Sequence, residues 1–135
     1  MSDDRTSRIL LVEDEELNRT LVKAVLTRAP IAHVRDAQVV DASSLAAARD
    51  QLDLGDIDLV LLDMNLPDGH GLELARELAQ RSPAEPRPVV IAVTASVLPD
   101  DRAAAMAAGC DGFVDKPYAA ADLVAVVAEH LADRG

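Results

Sequence analysis

The sequence predicts an α/β fold in which helices cover both faces of a five-stranded parallel sheet. Short strand segments, three of them built on apolar runs, alternate five times with longer segments whose apolar residues recur at helical spacing. Strands that are apolar throughout are typical of a parallel sheet, because both of its faces are buried. A length of 135 residues suits one doubly wound domain with a core of three layers, and no disulfide is needed to stabilise it.

The first unit comprises a strand over residues 8–12 and a helix over residues 15–28. Residues 9–12 are apolar without interruption, which indicates a buried strand. Pro30 ends the helix, since proline cannot continue the hydrogen-bond ladder. The side chains predicted to face the sheet are Leu21, Val22 and Val25.

The second strand is expected within residues 34–41. Either Ser43 or Ser44 is placed to cap the following helix, which reaches Leu52. The run 57–62, apolar except at Asp58 and bounded by acidic residues, is the third strand.

Residues 66–71 contain one proline and two glycines, which predicts a loop before a helix over 72–80. Three prolines within 82–88 predict another loop. The apolar run 88–93 is the fourth strand.

The last third predicts an alanine-rich helix over 98–108, which Gly109 is placed to end. A short strand over 112–115 and an amphipathic helix over 120–132 complete the pattern. The polar residues 1–7 are expected to form a disordered tail, and residues 8–135 the domain.

The charge and the aromatic content argue against direct binding of nucleic acid. The net charge is −11, and no cluster of lysine and arginine offsets it. Phe113 and Tyr118 are the aromatic residues, so base stacking has little support. No apolar run is long enough for a membrane span or a signal peptide. Cys110, the single cysteine, rules out an intramolecular disulfide and fits a cytoplasmic location, and we expect it to be a small buried hydrophobe.

Chemically active side chains follow the predicted strands at the points where the strands end. Glu13 and Asp14 follow the first strand, Asp63 the third, Thr94 the fourth and Lys116 the fifth. Because the carboxyl ends of parallel strands share one edge of the sheet, these side chains are predicted to converge.

The residue types indicate phosphoryl chemistry with a hard cation. Clustered carboxylates repel each other and suit Mg²⁺, which also binds phosphate oxygens. Asp63 could attack phosphorus, while Lys116 and Thr94 contact the transferred group. Taken singly, each residue is more often a helix cap or a solvated side chain, but their shared placement favours a site.

At these residues the chain resembles the receiver domain of two-component response regulators. That resemblance implies a flavodoxin-like (βα)5 fold with strand order 2-1-3-4-5. It rests on four segments: ILLVED at 9–14, LVLLDMNLPDG at 59–69, VTA at 93–95 and GCDGFVDKP at 109–117.

The resemblance implies a role for each acidic residue. Asp63 is similar to the phosphoacceptor, and Asp14 to a direct ligand of Mg²⁺. Glu13 would act on the metal through water, and Asn65 would offer its backbone carbonyl.

The resemblance also implies a switch. Thr94 and Lys116 are similar to the pair that senses the phosphoryl group, and the small Ala95 should leave that group accessible. Phe113 occupies the position of the switch aromatic, where tyrosine is frequent, so it would move by packing alone. The Lys116–Pro117 bond is similar to one that is cis in receivers.

The function implied is a phosphorelay switch, either as a single-domain response regulator or as the receiver domain of a larger protein. Such a switch is not an enzyme with a separate substrate, because it promotes only its own phosphotransfer and dephosphorylation. The donor would be a histidine kinase or a histidine phosphotransfer protein, and the output an unknown protein partner. One alternative is an aspartyl-phosphate phosphatase, but Asn65 stands where its general acid belongs. The other is an adaptor that works without phosphorylation.

Leu17 and Asn18 lie in the first turn of the first predicted helix, at the rim of the acidic pocket. We expect Leu17 to be partly exposed, either as a docking anchor for the donor or as an ordinary surface residue. The sequence does not indicate the kinase, the pathway, the phosphoryl lifetime or the oligomeric state.

Overall fold

The computed structural model describes residues 7–81, 87–94, 99–116 and 119–132, without the side chains of residues 99, 101 and 132. Strands and helices alternate along the chain. The strands are β1 Arg8–Val12, β2 Gln38–Ala42, β3 Leu59–Asp63, β4 Asn65–Leu66, β5 Gly69–His70, β6 Val89–Thr94 and β7 Gly112–Asp115. The helices are α1 Glu16–Thr27, α2 Ala32–Arg35, α3 Leu45–Leu54, α4 Gly71–Ala79, α5 Pro99–Ala107 and α6 Ala120–Ala132.

Five strands form a parallel sheet in the order β2-β1-β3-β6-β7. Counted among these five strands alone, this is the predicted order 2-1-3-4-5, so the predicted flavodoxin-like fold is confirmed. The order reverses between β1 and β3, which are neighbours in the sheet. The crevice beyond the carboxyl ends of strands at such a reversal is where open α/β sheets bind ligands.

The described residues form a hydrophobic cluster on each face of the sheet. Leu10 and Val12 of β1 pack on the face covered by α3, α4 and α5, whereas Ile9 and Leu11 pack on the face covered by α1, α2 and α6. Successive strand residues point to opposite faces, so an apolar strand serves both layers. The continuous apolar runs of the sequence therefore have their physical explanation in this three-layer packing.

The prediction for α1 is wrong at Leu21. That side chain is 53% exposed, Val25 is half-buried, and Val22 and Leu26 are buried. The helix presents the stripe formed by Val22 and Leu26, four residues apart, to the sheet. Leu21, Val22, Val25 and Leu26 all lie within six positions, so spacing alone did not determine which of them would face inward.

The segment between α1 and β2 also differs from the prediction. Residues 34–35, expected at the start of a strand, belong to the short helix α2, and Val34 is fully buried there. His33 contacts the Ala128 carbonyl of α6 through Nε2 at 3.2 Å, which joins α2 to the neighbouring helix. The apolar Val34 therefore supports a helix packed on the core rather than a strand.

Two further elements depend on single residues. Ser44, one of the two predicted caps, accepts a hydrogen bond from the Ala47 N–H at 3.1 Å. Gly109 follows α5 with a φ of 109°, a conformation that favours glycine. Cys110 is buried as expected, and burial raises the pKa of its thiol to about 11.

The predicted loop over 66–71 contains a small antiparallel hairpin formed by β4 and β5. Ser7 accepts a hydrogen bond from the Gln38 N–H at 2.8 Å, while the rest of the predicted tail lies outside the described residues. None of the described helices is both long and apolar enough to cross a membrane.

Candidate functional site

Three carboxylates meet at the carboxyl edge of the sheet. Glu13 and Asp14 follow β1 directly, and Asp63 is the last residue of β3. One oxygen from each side chain lies within 4.8 Å of the others. Glu13 and Asp63 are buried, whereas Asp14 is exposed. The cluster can therefore be reached from solvent on the Asp14 side.

Hydrogen bonds fix the orientation of Glu13. Its backbone N–H donates to the Ala42 carbonyl at 3.0 Å. Its Oε2 accepts from the Glu15 N–H at 3.1 Å, and its carbonyl accepts from Arg19 Nη1 at 2.8 Å. The other carboxylate oxygen, Oε1, faces Lys116.

Lys116 supplies the positive charge of the cluster. Its Nζ lies 3.5 Å from Glu13 Oε1 and 3.6 Å from Asp63 Oδ1. Its backbone N–H donates to the Thr94 carbonyl at 2.7 Å, which fixes where its side chain begins. One ammonium group therefore contacts both buried carboxylates and offsets part of their mutual repulsion.

Thr94 and Asn65 lie beside Asp63. Thr94 ends β6 and is half-buried, whereas Asn65 is exposed, and its backbone N–H lies 3.4 Å from Asp63 Oδ1. Both residues line a pocket of about 420 Å³ that also contacts Phe113 and Arg102. Space near the acidic cluster is thus continuous with the predicted switch aromatic.

A close backbone approach holds the β4–β5 hairpin against the end of β3. The Gly71 N–H donates to the Met64 carbonyl at 2.8 Å. A Cβ added at Gly71 would lie 2.3 Å from the Asp63 carbonyl oxygen, a distance that no side chain tolerates. Glycine is required here so that the hairpin carrying Asn65 can lie next to Asp63.

The turn of this hairpin is tied to α3. Asp68 accepts hydrogen bonds from the Leu45 and Ala46 N–H groups at 2.8 and 3.0 Å. These backbone donors lower the pKa of the Asp68 carboxyl, because they stabilise its charged form. A side chain after β3 thus satisfies donors at the start of a helix that follows β2.

The donor set suits a hard divalent cation. Within the described residues, Glu13, Asp14 and Asp63 form a cluster whose side chains offer only carboxylate oxygens. Such oxygens are the ligands that Mg²⁺ and Ca²⁺ prefer, whereas zinc sites more often use histidine and cysteine. The residues present therefore fit a divalent metal ion.

Leu17 is 70% exposed, and Asn18 is half-buried and donates through Nδ2 to Glu15 Oε1 at 3.0 Å. Both lie in the first turns of α1, three and four residues after Asp14. Leu17 is thus exposed in the turn of α1 that follows Asp14. Ala95 and Pro117 lie outside the described residues, so the predictions of phosphoryl access and of the cis bond remain predictions.

Arg102 and Asp115 are further candidate functional residues, which the sequence pattern does not reveal. Their side chains form an ion pair, and the Arg102 guanidinium carbon lies 4.6 Å from the centre of the Phe113 ring. The two residues are thirteen positions apart and belong to different elements, so only tertiary packing brings them together.

Comparisons with known proteins agree with this geometry. The family model of the response regulator receiver domain matches residues 9–128. The aerobic respiration control sensor protein ArcB of Escherichia coli is 38% identical over 120 residues, which are 88% of this chain but 14% of ArcB. The polar-differentiation response regulator DivK of Brucella ovis is 28% identical over 95% of this chain and 98% of its own length. A CheY-like receiver domain protein from Methanospirillum hungatei has the same fold, with a TM-score of 0.81, 24% identity and 96% coverage of both chains.

Proposed function

The chain belongs to the family of response regulator receiver domains, which act in phosphorylation-dependent signalling, and we propose that it accepts a phosphoryl group on Asp63. One observation carries the proposal. Asp63 ends the central strand β3 with two further carboxylates within 4.8 Å and the Lys116 ammonium 3.6 Å away. A nucleophile, a metal-binding set and a neutralising cation therefore converge at one sheet edge.

In the proposed transfer, an Asp63 oxygen attacks the phosphorus of a phosphohistidine. The O–P bond forms while the N–P bond breaks, and the electron pair stays on the imidazole nitrogen. Lys116 neutralises one phosphoryl oxygen, and the Thr94 hydroxyl donates to another. A Mg²⁺ ion held by Asp14, Asp63 and the Asn65 carbonyl, with Glu13 acting through water, would supply further charge neutralisation.

The donor in this proposal is a histidine kinase or a histidine phosphotransfer protein. Leu17 is the anchor for that donor and Asn18 its polar neighbour, because both lie in the first turns of α1, three and four residues after Asp14. The output is a contact with another protein, controlled by Thr94 and Phe113. Hydrolysis of a separate substrate is not part of the proposal, since the second residue after Asp63 is Asn65, which cannot act as a general acid.

The test is labelling by a small phosphodonor such as acetyl phosphate in the presence of Mg²⁺. We expect one phosphoryl group per chain, detected by mass, which alkali removes as it does any acyl phosphate. Asp63→Asn should abolish the labelling, because a carboxamide is a poor nucleophile.

Asp53→Asn is the matched control, since Asp53 is an exposed carboxylate on α3 and should leave the labelling intact. Labelling of Asp63→Asn at the wild-type rate would show that another residue is the acceptor. An unlabelled wild-type protein would contradict the proposed function itself.

A further inference from the structure

Arg102 contacts two residues of β7, the predicted switch aromatic Phe113 and Asp115. Its guanidinium carbon lies 4.6 Å from the centre of the Phe113 ring, within the range of a cation–π interaction. The same guanidinium forms an ion pair with Asp115, two residues further along β7. One side chain of α5 therefore holds both Phe113 and its strand neighbour.

The sheet register places these groups next to Thr94. Thr94 is paired with Asp115, and Ala92 with Phe113, across the parallel strands β6 and β7. Paired residues, and residues two apart on a strand, point to the same face of a sheet. Thr94, Asp115 and Phe113 thus share the face that α5 covers, so a movement of Thr94 would change the surroundings of Arg102.

The structure also offers a space into which the Phe113 ring could move. The pocket of about 420 Å³ beside it extends to Thr94 and Asn65 at the acidic cluster. Its apolar lining includes Met64, Leu72, Ala92 and Ala105. Phe113 is half-buried at the edge of this pocket rather than inside it. Entering the pocket would bury more of the ring, but the ring would leave its present position under the Arg102 guanidinium, which lines the same pocket.

We propose that Arg102 is a positioning residue that holds Phe113 at the pocket edge and so sets how readily the switch responds to phosphorylation. The proposal rests on the proposed function, because it concerns the response to a phosphoryl group on Asp63. Phosphorylation draws Thr94 toward the phosphoryl group, and the ring then enters the space beside it. The phenyl ring has no hydroxyl to hydrogen-bond in either position, so the contact with Arg102 carries much of the bias.

The contacts of Arg102 with Phe113 and Asp115, which together form the Arg102 latch, can be broken at a low cost in free energy. Within the described part of the chain, Arg102 Nε and Asp115 Oδ1 are buried atoms without a hydrogen-bond partner. An incompletely satisfied pair is less stable than a fully bonded one, so it can be exchanged for another arrangement. A cation–π contact at a partly exposed site corresponds to about a 2- to 5-fold change in an equilibrium constant. That is enough to tune a switch without blocking it.

The experiment uses the fact that Phe113 is the only phenylalanine of the chain. Ring-¹³C phenylalanine gives one set of NMR signals. The isotope does not change the electron distribution of the ring, so the cation–π contact under test is unaltered. The signals of unphosphorylated and phosphorylated wild-type protein define the two ends of the response. In the unphosphorylated state, Arg102→Met should move the ring about 2- to 5-fold in population ratio toward the phosphorylated end.

Arg102→Lys should restore most of the wild-type position, because lysine keeps a cation over the ring, whereas a purely structural role would not depend on charge. Arg49→Met is the matched control: Arg49 is paired with Glu77 between α3 and α4, and its loss should not move the signals. Phosphoryl occupancy of Asp63 and unfolding temperature are measured for every variant.

The possible failures are distinguishable. If wild-type protein is not phosphorylated, the proposed function fails. If it is phosphorylated and its ring signals move, but Arg102→Met matches wild type in the unphosphorylated state, the latch is refuted. A shift of the same size in Arg102→Lys or Arg49→Met would also refute it, because the effect would then not depend on a cation over the ring.

Discussion

The stability of the buried Asp63 carboxylate depends on the charges around it. It is buried, yet it lies within 4.8 Å of two further carboxylates and 3.6 Å from the Lys116 ammonium. One cation leaves a net negative charge on three carboxylates, and two of these carboxylates are buried, where uncompensated charge is destabilising. The cluster therefore keeps a net negative charge, which a divalent metal ion would neutralise.

The first prediction tests the effect of this net negative charge at Asp14. Asp14→Ala should reduce Mg²⁺ binding and Mg²⁺-dependent phosphorylation by about tenfold or more. It should also raise the stability of the metal-free protein by roughly 1 kcal/mol or less, because one repulsive charge is lost. Titration calorimetry, phosphodonor labelling and thermal unfolding in EDTA measure the three effects. Asp53→Ala removes the same charge far from the cluster and should change none of them, and normal Mg²⁺-dependent labelling of Asp14→Ala would show that Asp14 is not a ligand.

At the scale of elements, the β4–β5 hairpin is held from two sides. Gly71 allows it to lie against the backbone of Asp63, and Asp68 ties its turn to the first N–H groups of α3. The hairpin is thus held by a local contact with the end of β3 and by a contact with α3, which is more than twenty residues away in sequence. Asn65 is positioned through these contacts rather than by its own side chain.

The second prediction concerns Asp68. Asp68→Ala should lower the unfolding temperature at neutral pH, because two donors at the start of α3 lose their acceptor. The pKa of Asp68 is lowered on folding, so its stabilising effect is present above the usual pKa of an aspartate. That effect is lost as the pH falls through the lower pKa of the folded state.

Thermal unfolding across acidic pH checks this prediction, with Ser44→Ala as the comparison. Ser44 caps the same helix through a hydroxyl that does not titrate, so its loss should cost about 1 kcal/mol at every pH. A defect of Asp68→Ala that stays constant down to the lowest pH would contradict a carboxylate cap.

At the scale of the whole molecule, the chain carries a net charge of −11 and exposes an apolar side chain, Leu17, three residues after Asp14. Leu17 and Leu21 are both strongly exposed on α1. In the proposed phosphotransfer, a donor protein that brings a phosphohistidine to Asp63 would contact the start of α1. Apolar anchors supply affinity in such contacts, while polar neighbours contribute to specificity.

The third prediction separates docking from chemistry. Leu17→Ala should slow phosphotransfer from a protein donor by a free energy of roughly 1–2 kcal/mol. It should not slow labelling by acetyl phosphate, which needs no docking surface. Leu54→Ala is the matched control, because Leu54 is 74% exposed at the end of α3 that lies away from the acidic cluster. Equal losses with both donors would mean that the mutation damaged the cluster, and no loss with either would make Leu17 an ordinary surface residue.

The sequence determined the sheet and the residues at its carboxyl edge. Continuous apolar runs can be buried only between two layers of helices, so alternation with helical segments was enough to predict a parallel sheet. Parallel strands end at a common edge, so Glu13, Asp14, Asp63 and Lys116 were expected to meet, and they do lie together. Local composition and strand direction carry this information, and both are present in the chain itself.

Only the tertiary structure determined which of several similar residues is buried, which element contains Val34 and which residues Arg102 contacts. Leu21 and Val22 have similar hydrophobicity, and only the orientation of α1 on the sheet buries Val22 and exposes Leu21. Val34 is as apolar in a strand as in the helix α2, and its packing on the core selected the helix. Arg102 reaches Phe113 and Asp115 only because α5 lies over β7. Such choices depend on contacts between distant segments, whose free energies no local pattern contains.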